Sequence, residues 1–158
     1  MKKLGFGCMR LPMIGGNDGT QERVDYEQFN AMIDKFMDAG FCYFDTAHGY
    51  IGGKSETAIR DCLVKRYPRE AYILTDKLTA DFFQREEDIR PFFEEQLEKT
   101  GVGYFDYYLL HALNTQNYQK FIDCHAFEEV KQLKAEGKIK HMGTVSYTHL
   151  TLPTIYSV

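Results

Sequence analysis

Short apolar runs alternate with longer amphipathic stretches along this chain. The runs are Leu4 to Leu11, Phe41 to Phe44, Ala71 to Leu74, Tyr104 to Leu110, and a fifth that begins near Ile139. Their starts lie about 30 to 37 residues apart, the length of one strand, one loop and one helix. The intervening segments have helical spacing. Tyr26, Phe29, Ile33, Phe36 and Met37 recur at i, i+3 and i+4, and Gly40 stands where a left-handed cap is wanted. Ala58, Ile59, Cys62 and Leu63 repeat the pattern before Tyr67-Pro68. In the next unit Glu86, Glu87 and Asp88 load a helix N-terminus, Pro91 fits its first turn, and Lys99 and Gly101 mark its end. Phe127, Val130 and Leu133 lead to a stop at Gly137 and a new strand.

Strand and helix alternating at this period predict an α/β fold, with a parallel sheet and helical crossovers. The strands read as apolar nearly throughout, as expected where both faces are covered. A doubly wound sheet and a (β/α)8 barrel both satisfy the pattern. "GFGCMR" carries glycines inside the first strand, and Arg10 stands where a dinucleotide fingerprint would need its third glycine. "IGGNDGTQER", from Ile14 to Arg23, reads as a mobile polar loop.

Composition narrows the partners. The chain has 158 residues, 44% hydrophobic and 27% charged, enough for one soluble domain. A net charge of -4 with scattered lysines and arginines argues against nucleic acid or an anionic membrane surface. No apolar run approaches a membrane span, and "MKKLGFGCMRLP" reads as a first strand, not a signal peptide, which predicts a cytoplasmic protein. Cys8, Cys42, Cys62 and Cys124 lie far apart without a C-x-x-C pair, so they read as reduced and buried. "DCH", from Asp123 to His125, places neighbours on different sides of a helix and predicts no metal site.

Candidate chemistry sits at the strand exits. The second run ends at Asp45, with Tyr50 in the loop behind it. "ILTDKL" puts Lys77 at the third exit, and "DYYLLH" puts His111 at the fourth. In an α/β barrel the loops at these ends build the site. Singly, each residue has an ordinary reading: a cap or turn aspartate, a surface tyrosine, a solvated lysine, a core histidine. Together they form a tuned proton donor. A lysine ammonium favours the phenolate of a tyrosine, a carboxylate offsets burial of the lysine, and a histidine orients the same substrate oxygen. Such a set fits carbonyl reduction with hydride arriving from the other side.

"FDTAHGYIGGKSE" resembles the D-T-A-x-x-Y-G-x-x-x-S-E signature of the aldo-keto reductase family. "ILTDKL" and "YFDYYLLH" resemble the strands that bear its lysine and histidine, "LGFGCMRLP" its first barrel strand, and "LKAEGKIKHMG" the step before its fifth. The resemblance implies a (β/α)8 TIM barrel that reduces aldehydes or ketones with NADPH or NADH. It implies Tyr50 as general acid, Lys77 and Asp45 as the pair that tunes it, and His111 as orienting partner. It places Gly7, Cys8 and Met9, with Asp45, at the nicotinamide end of the cofactor. "HGYIGGKSETAIR" looks most like the subgroup whose chains continue into a ferredoxin-like segment with 4Fe–4S clusters; such a cluster is implied only for a longer parent, not for this chain. Ile51 departs from the glycine that many members carry after the tyrosine.

The similarity runs through about the first four βα units and the start of strand five. Residues 1–143 therefore read as the N-terminal half of a barrel. "TVSYTHLTLPTIYSV", from Thr144 to Val158, departs from the pattern and is expected to be an unstructured tail foreign to the native product. A half-barrel of this kind is expected to be catalytically inactive alone and to self-associate through its open edges. A non-enzymatic, reductase-like binding subunit is the third reading; the presence of all four candidate catalytic residue types counts against it.

Overall fold

The computed structural model describes residues 3–15 and 22–146. β1 (Gly5–Gly7) leaves the sheet almost at once. The amide of Cys8 still reaches the Asp45 carbonyl at 2.8 Å, and the chain then turns into a short antiparallel hairpin, β2 (Met13–Ile14) with β3 (Arg23–Val24). The strand expected to run from Leu4 to Leu11 is thus shorter. The ends of the presumed polar loop are paired backbone, and residues 16–21 lie outside the described residues.

α1 (Tyr26–Asp38) starts at Asp25, whose carboxylate accepts the Gln28 amide at 3.0 Å. It buries Phe29 and Ile33 and gives way to Gly40 at φ 80°. β4 (Tyr43–Asp45) leads to α2 (Lys54–Ile59), which runs into a wide π-type turn over Arg60–Val64. β5 (Ile73–Thr79) and α3 (Ile89–Thr100) follow, with Pro91 in the first turn of α3 as expected. α3 ends at Gly101 in the left-handed conformation, φ 74°. β6 (Phe105–His111) is succeeded by α4 (Tyr118–Asp123), which the periodicity did not signal, then by α5 (Ala126–Ala135) and β7 (Ile139–Thr144).

The strands β1, β4, β5, β6 and β7 form one parallel sheet in that order. Sequential neighbours joined by helices are what a barrel requires; a doubly wound sheet would reverse its order. One face packs on the helices through Phe44, Leu74, Leu78 and Ile139, all buried. On the other face Tyr43 and Tyr107 stand half-buried and His141 is exposed. The Tyr43 and Tyr107 rings lie 5.8 Å apart, and the Tyr107 and His141 rings 4.8 Å apart.

Two features differ from the expected apolar strands. β5 buries Thr75, Asp76 and Lys77 in its middle. Asp106, at the start of β6, accepts the Leu74 amide at 2.9 Å, Arg69 at 2.6 Å and Lys140 at 3.0 Å, so it clasps β5, β6 and β7 at the end opposite the strand exits. The fifth strand also runs one residue past the expected boundary at Gly143. Thr144 pairs with Leu110, and Val145 bonds to both Leu110 and Leu113. The rest of the expected tail, residues 147–158, lies outside the described residues.

Candidate active site

Register decides what meets at the strand exits. Asp45 pairs with Thr75 across the β4–β5 ladder, and Thr79 pairs with His111 across the β5–β6 ladder. Lys77 lies between them on the same face as Thr75 and Thr79. Its side chain turns along the sheet to a point beyond the end of β4. There its Nζ donates to Asp45 Oδ1 at 2.6 Å, to the Thr46 carbonyl at 2.7 Å and to Tyr50 Oη at 3.1 Å. Three acceptors for three N–H bonds satisfy an ammonium that is only 3% exposed. The Tyr50 ring stands edge-on to the His111 ring, with centroids 5.8 Å apart. The structure therefore brings together all four candidates taken from the strand exits.

The electrostatics follow from this geometry. Burial alone would pull the Lys77 pKa down; Asp45, and then Tyr50, outweigh it and hold it above the ordinary lysine value. His111 moves the other way. Burial, reinforced by the nearby Lys77 charge, lowers its pKa to about 4, so the ring is neutral near pH 7. Its Nδ1 lies 2.7 Å from the Thr79 hydroxyl. If that hydroxyl donates, the proton of the neutral ring sits on Nε2.

The loop that carries Tyr50 is built by the rest of its motif. The Ser55 hydroxyl donates to the Cys8 carbonyl at 3.0 Å and meets the Thr46 hydroxyl at 2.7 Å, tying the start of α2 to the ends of β1 and β4. Ile51, Gly52 and Gly53 are all left-handed, at φ 53°, 59° and 86°, which turns the chain sharply behind Tyr50. Ile51 is thus a β-branched residue in a conformation that favours glycine.

Gly7 faces Asp45 in the β1–β4 ladder, and a side chain at Gly7 would enter open space. Bare main chain beside Asp45, with exposed Met9 next to it, fits the flat ring end of a dinucleotide. Cys8 presents only main chain there. Its side chain is fully buried, and burial pushes its thiol pKa well above the ordinary range. Cys62 and Cys124 are buried as well, whereas Cys42 is only half-buried, short of the expectation for all four. In the "DCH" stretch the Cys124 thiol meets the Gln84 carbonyl at 3.4 Å and His125 pairs with Glu86 at 2.8 Å, so the two side chains have separate partners. Among the described residues no group of three or more His, Cys, Asp or Glu is placed to hold a metal ion, and no helix is long and apolar enough to cross a membrane.

Sequence reasoning missed Thr79, the Thr46 carbonyl and Ser55. Thr79 had a signal in strand alternation, since it lies two residues from Lys77. The other two needed the tertiary path of the loop.

Comparison with known proteins agrees with this architecture. The family model described as "Aldo/keto reductase family" matches residues 3–155. Prostaglandin F synthase 1 of Bos taurus is 26% identical over 165 residues, covering 92% of this chain and 50% of the relative. Probable aldo-keto reductase 1 of Glycine max is 30% identical over 151 residues, covering 90% of this chain and 41% of the relative. Among solved structures, the holo form of aldo-keto reductase AKR11C1 from Bacillus halodurans superposes with a TM-score of 0.71 at 27% identity, covering 91% of this chain and 46% of that one. An aldo-keto reductase from Klebsiella pneumoniae in complex with NADPH gives 0.70 at 23% identity, covering 92% and 45%. The chain spans about half the length of the curated relatives it matches.

Proposed function

The chain belongs to the aldo/keto reductase family, and we propose on that basis that its described residues supply the proton-donating half of a carbonyl-reducing site. The observation that carries this reading is the Lys77 ammonium, held 2.6 Å from Asp45 and 3.1 Å from the Tyr50 hydroxyl at the strand exits. Tyr50 is the general acid. As its proton passes to the carbonyl oxygen of an aldehyde or ketone, negative charge grows on the phenol oxygen, and Lys77 stabilises it. Asp45 keeps Lys77 charged and aimed. His111, neutral and with Thr79 donating to its Nδ1, presents Nε2–H to the same carbonyl oxygen and orients it. A nicotinamide, NADPH or NADH, held against Gly7, Met9 and Asp45, with the Cys8 main chain beside them, would supply the hydride to the carbonyl carbon. Carbon and oxygen thus gain one hydride and one proton, and the product is an alcohol.

The test places these residues in a closed eight-stranded barrel and follows cofactor consumption with small aldehydes. Tyr50→Phe should lower turnover by about 100-fold or more, the scale of acid catalysis; equal turnover rules Tyr50 out as the acid. A second reading concerns the chain as it stands. Among the described residues β1 and β7 each pair on one side only, which favours a chain that carries the acid set but completes no turnover alone. Fluorescence titration of NADPH with the 158-residue chain addresses this: tight binding accompanied by turnover would refute it.

A further inference from the structure

Behind β5, on the face away from the Lys77 ammonium, Glu56, Asp76, Gln96 and Tyr108 are fully buried together. The proton-donating set described above uses none of them. Tyr108 donates its hydroxyl hydrogen to Gln96 Oε1. Gln96 Nε2 donates to Asp76 Oδ1 at 3.0 Å and to the Lys77 carbonyl at 3.1 Å, while the Lys77 amide donates to Asp76 Oδ1 at 2.8 Å. Both main-chain groups of Lys77 are therefore held from α3 and from its own neighbour, not by a strand. The cause lies in the topology. The β4–β5 ladder ends at Asp45 opposite Thr75, and the Thr46 amide takes the Thr75 carbonyl at 2.9 Å. Two residues on, the same edge of β5 has no strand beside it.

The hydrogen-bond account of this cluster does not close with ordinary carboxylates. Asp76 Oδ2 and both oxygens of Glu56 are buried without a well-aligned hydrogen bond, although Gln96 and the two carboxyl groups lie within hydrogen-bonding reach of one another. Among the described residues Lys99 and Lys77 lower the two pKa values from a distance, but no lysine or arginine is in ion-pair contact with either carboxyl group. Lys77 of β5 spends its Nζ on Asp45, Thr46 and Tyr50. Lys99 of α3 pairs with Glu95 at 2.7 Å. Tyr108 of β6 is neutral, its pKa pushed up by burial. His48, in the loop after β4, comes within 3.0 Å of Glu56, but burial lowers its pKa and favours the neutral ring. Two adjacent carboxylates without a counter-charge do not both ionise in such a site.

We propose that Glu56 and Asp76 hold one proton between them, and that this pair, through Asp76 and Gln96, is the positioning device that sets the main chain of Lys77. The positioning half rests on the proposed role of Lys77; the shared proton does not. Burial raises the Glu56 pKa from 4.5 to about 7 against the lowering effect of its hydrogen-bonding neighbours Gln96 and Asp76, and burial with the Glu56 charge beside it holds Asp76 well above the aspartate range. A raised acid pKa stabilises the fold fully below the unfolded value. That contribution is lost as pH rises from about 4.5 through about 7.

Three measurements on the 158-residue chain test this, and none needs turnover. Infrared spectra at pH 6 should show the carbonyl stretch of a buried protonated carboxylic acid, lost in both Glu56→Gln and Asp76→Asn. A folded wild type without the band, or a band that survives in either variant, overturns the shared proton. The thermal midpoint of Glu56→Gln relative to wild type should rise from pH 5 to about pH 7 and then level off; a constant difference overturns it as well. For the positioning role, the NMR signal of the Lys77 ammonium should shift in Gln96→Met, which keeps the shape but removes both donors. It should stay in place in Glu56→Gln, which still donates to Asp76. An unmoved Lys77 signal in Gln96→Met overturns positioning. Should all three hold while Tyr50→Phe leaves turnover intact in a closed barrel, the reading of the function fails and the proton-sharing pair stands.

Discussion

At Lys77 one ammonium serves three acceptors, and each comes from a different part of the chain: the end of β4, the residue after it, and the loop beyond. The aspartate, tyrosine, lysine and histidine were legible in the sequence because each closes an apolar run or follows one closely. Their shared destination follows from parallel strands ending at one face. Thr79 and the Asp76–Glu56 pair were not legible as functional. A polar residue inside an apolar run has no meaning until register says which face it takes and what stands opposite. The residue scale also carries a pH prediction through His111. Its folded pKa, about 4, lies below its ordinary 6.5, so between these values the unfolded chain binds a proton that the folded chain refuses. Stability should therefore fall as pH drops through that window. At roughly 1.4 kcal/mol per pKa unit, discounted for partial exposure, the loss is about 2–3 kcal/mol. Chemical denaturation of wild type and His111→Gln at pH 7 and pH 4 should show that difference closing in the variant; an equal acid loss in both would place the titration elsewhere.

Among the elements, the turn behind Tyr50 has a local cost. Ile51 at φ 53° bears about 1–2 kcal/mol of left-handed strain, yet its side chain packs against the core. Ile51→Gly should leave stability within about 1 kcal/mol of wild type, since relief offsets lost packing, where large-to-small changes of buried aliphatic residues cost about 2–5 kcal/mol. A urea midpoint lowered by the full core amount would show that Ile51 is unstrained. The clasp at the opposite end of the strands works in the other direction. Leu74, Arg69 and Lys140 outweigh burial and hold the Asp106 carboxyl below the usual aspartate range. Asp106→Ala would strand the mostly buried Arg69 guanidinium and the Leu74 amide, at a cost of about 3 kcal/mol. Urea denaturation of Asp106→Ala checks this, and a loss under about 1 kcal/mol would mean that solvent replaces the clasp. Helix C-termini were the most legible features of the chain, because Gly40, Gly101 and Gly137 act through their own backbone freedom, whereas the Asp25 cap of α1 came from the structure. α4 and the β2–β3 hairpin were not, because six- and two-residue elements hold too few positions to show a period.

For the whole molecule, the governing fact is a five-stranded parallel sheet whose outer strands β1 and β7 each have one paired edge among the described residues. The face away from the helices carries half-buried Tyr43 and Tyr107 and exposed His141. Unpaired edges and a part-covered aromatic face favour association. Sedimentation velocity at micromolar concentration should show a dimer or larger species, and a monodisperse monomer would contradict that expectation. The sequence by itself determined the alternation of strands and helices and the residue types at the strand exits, because periodicity and capping are short-range properties that each segment carries alone. It left barrel and doubly wound sheet unresolved until a family resemblance was admitted, since both are built from the same repeating unit. Only the tertiary structure decided strand order, register, and the burial of Asp76 against Glu56. Those depend on contacts between residues some 20 to 40 positions apart, where hydrogen-bond partners and low polarity, not local preference, set what each side chain does.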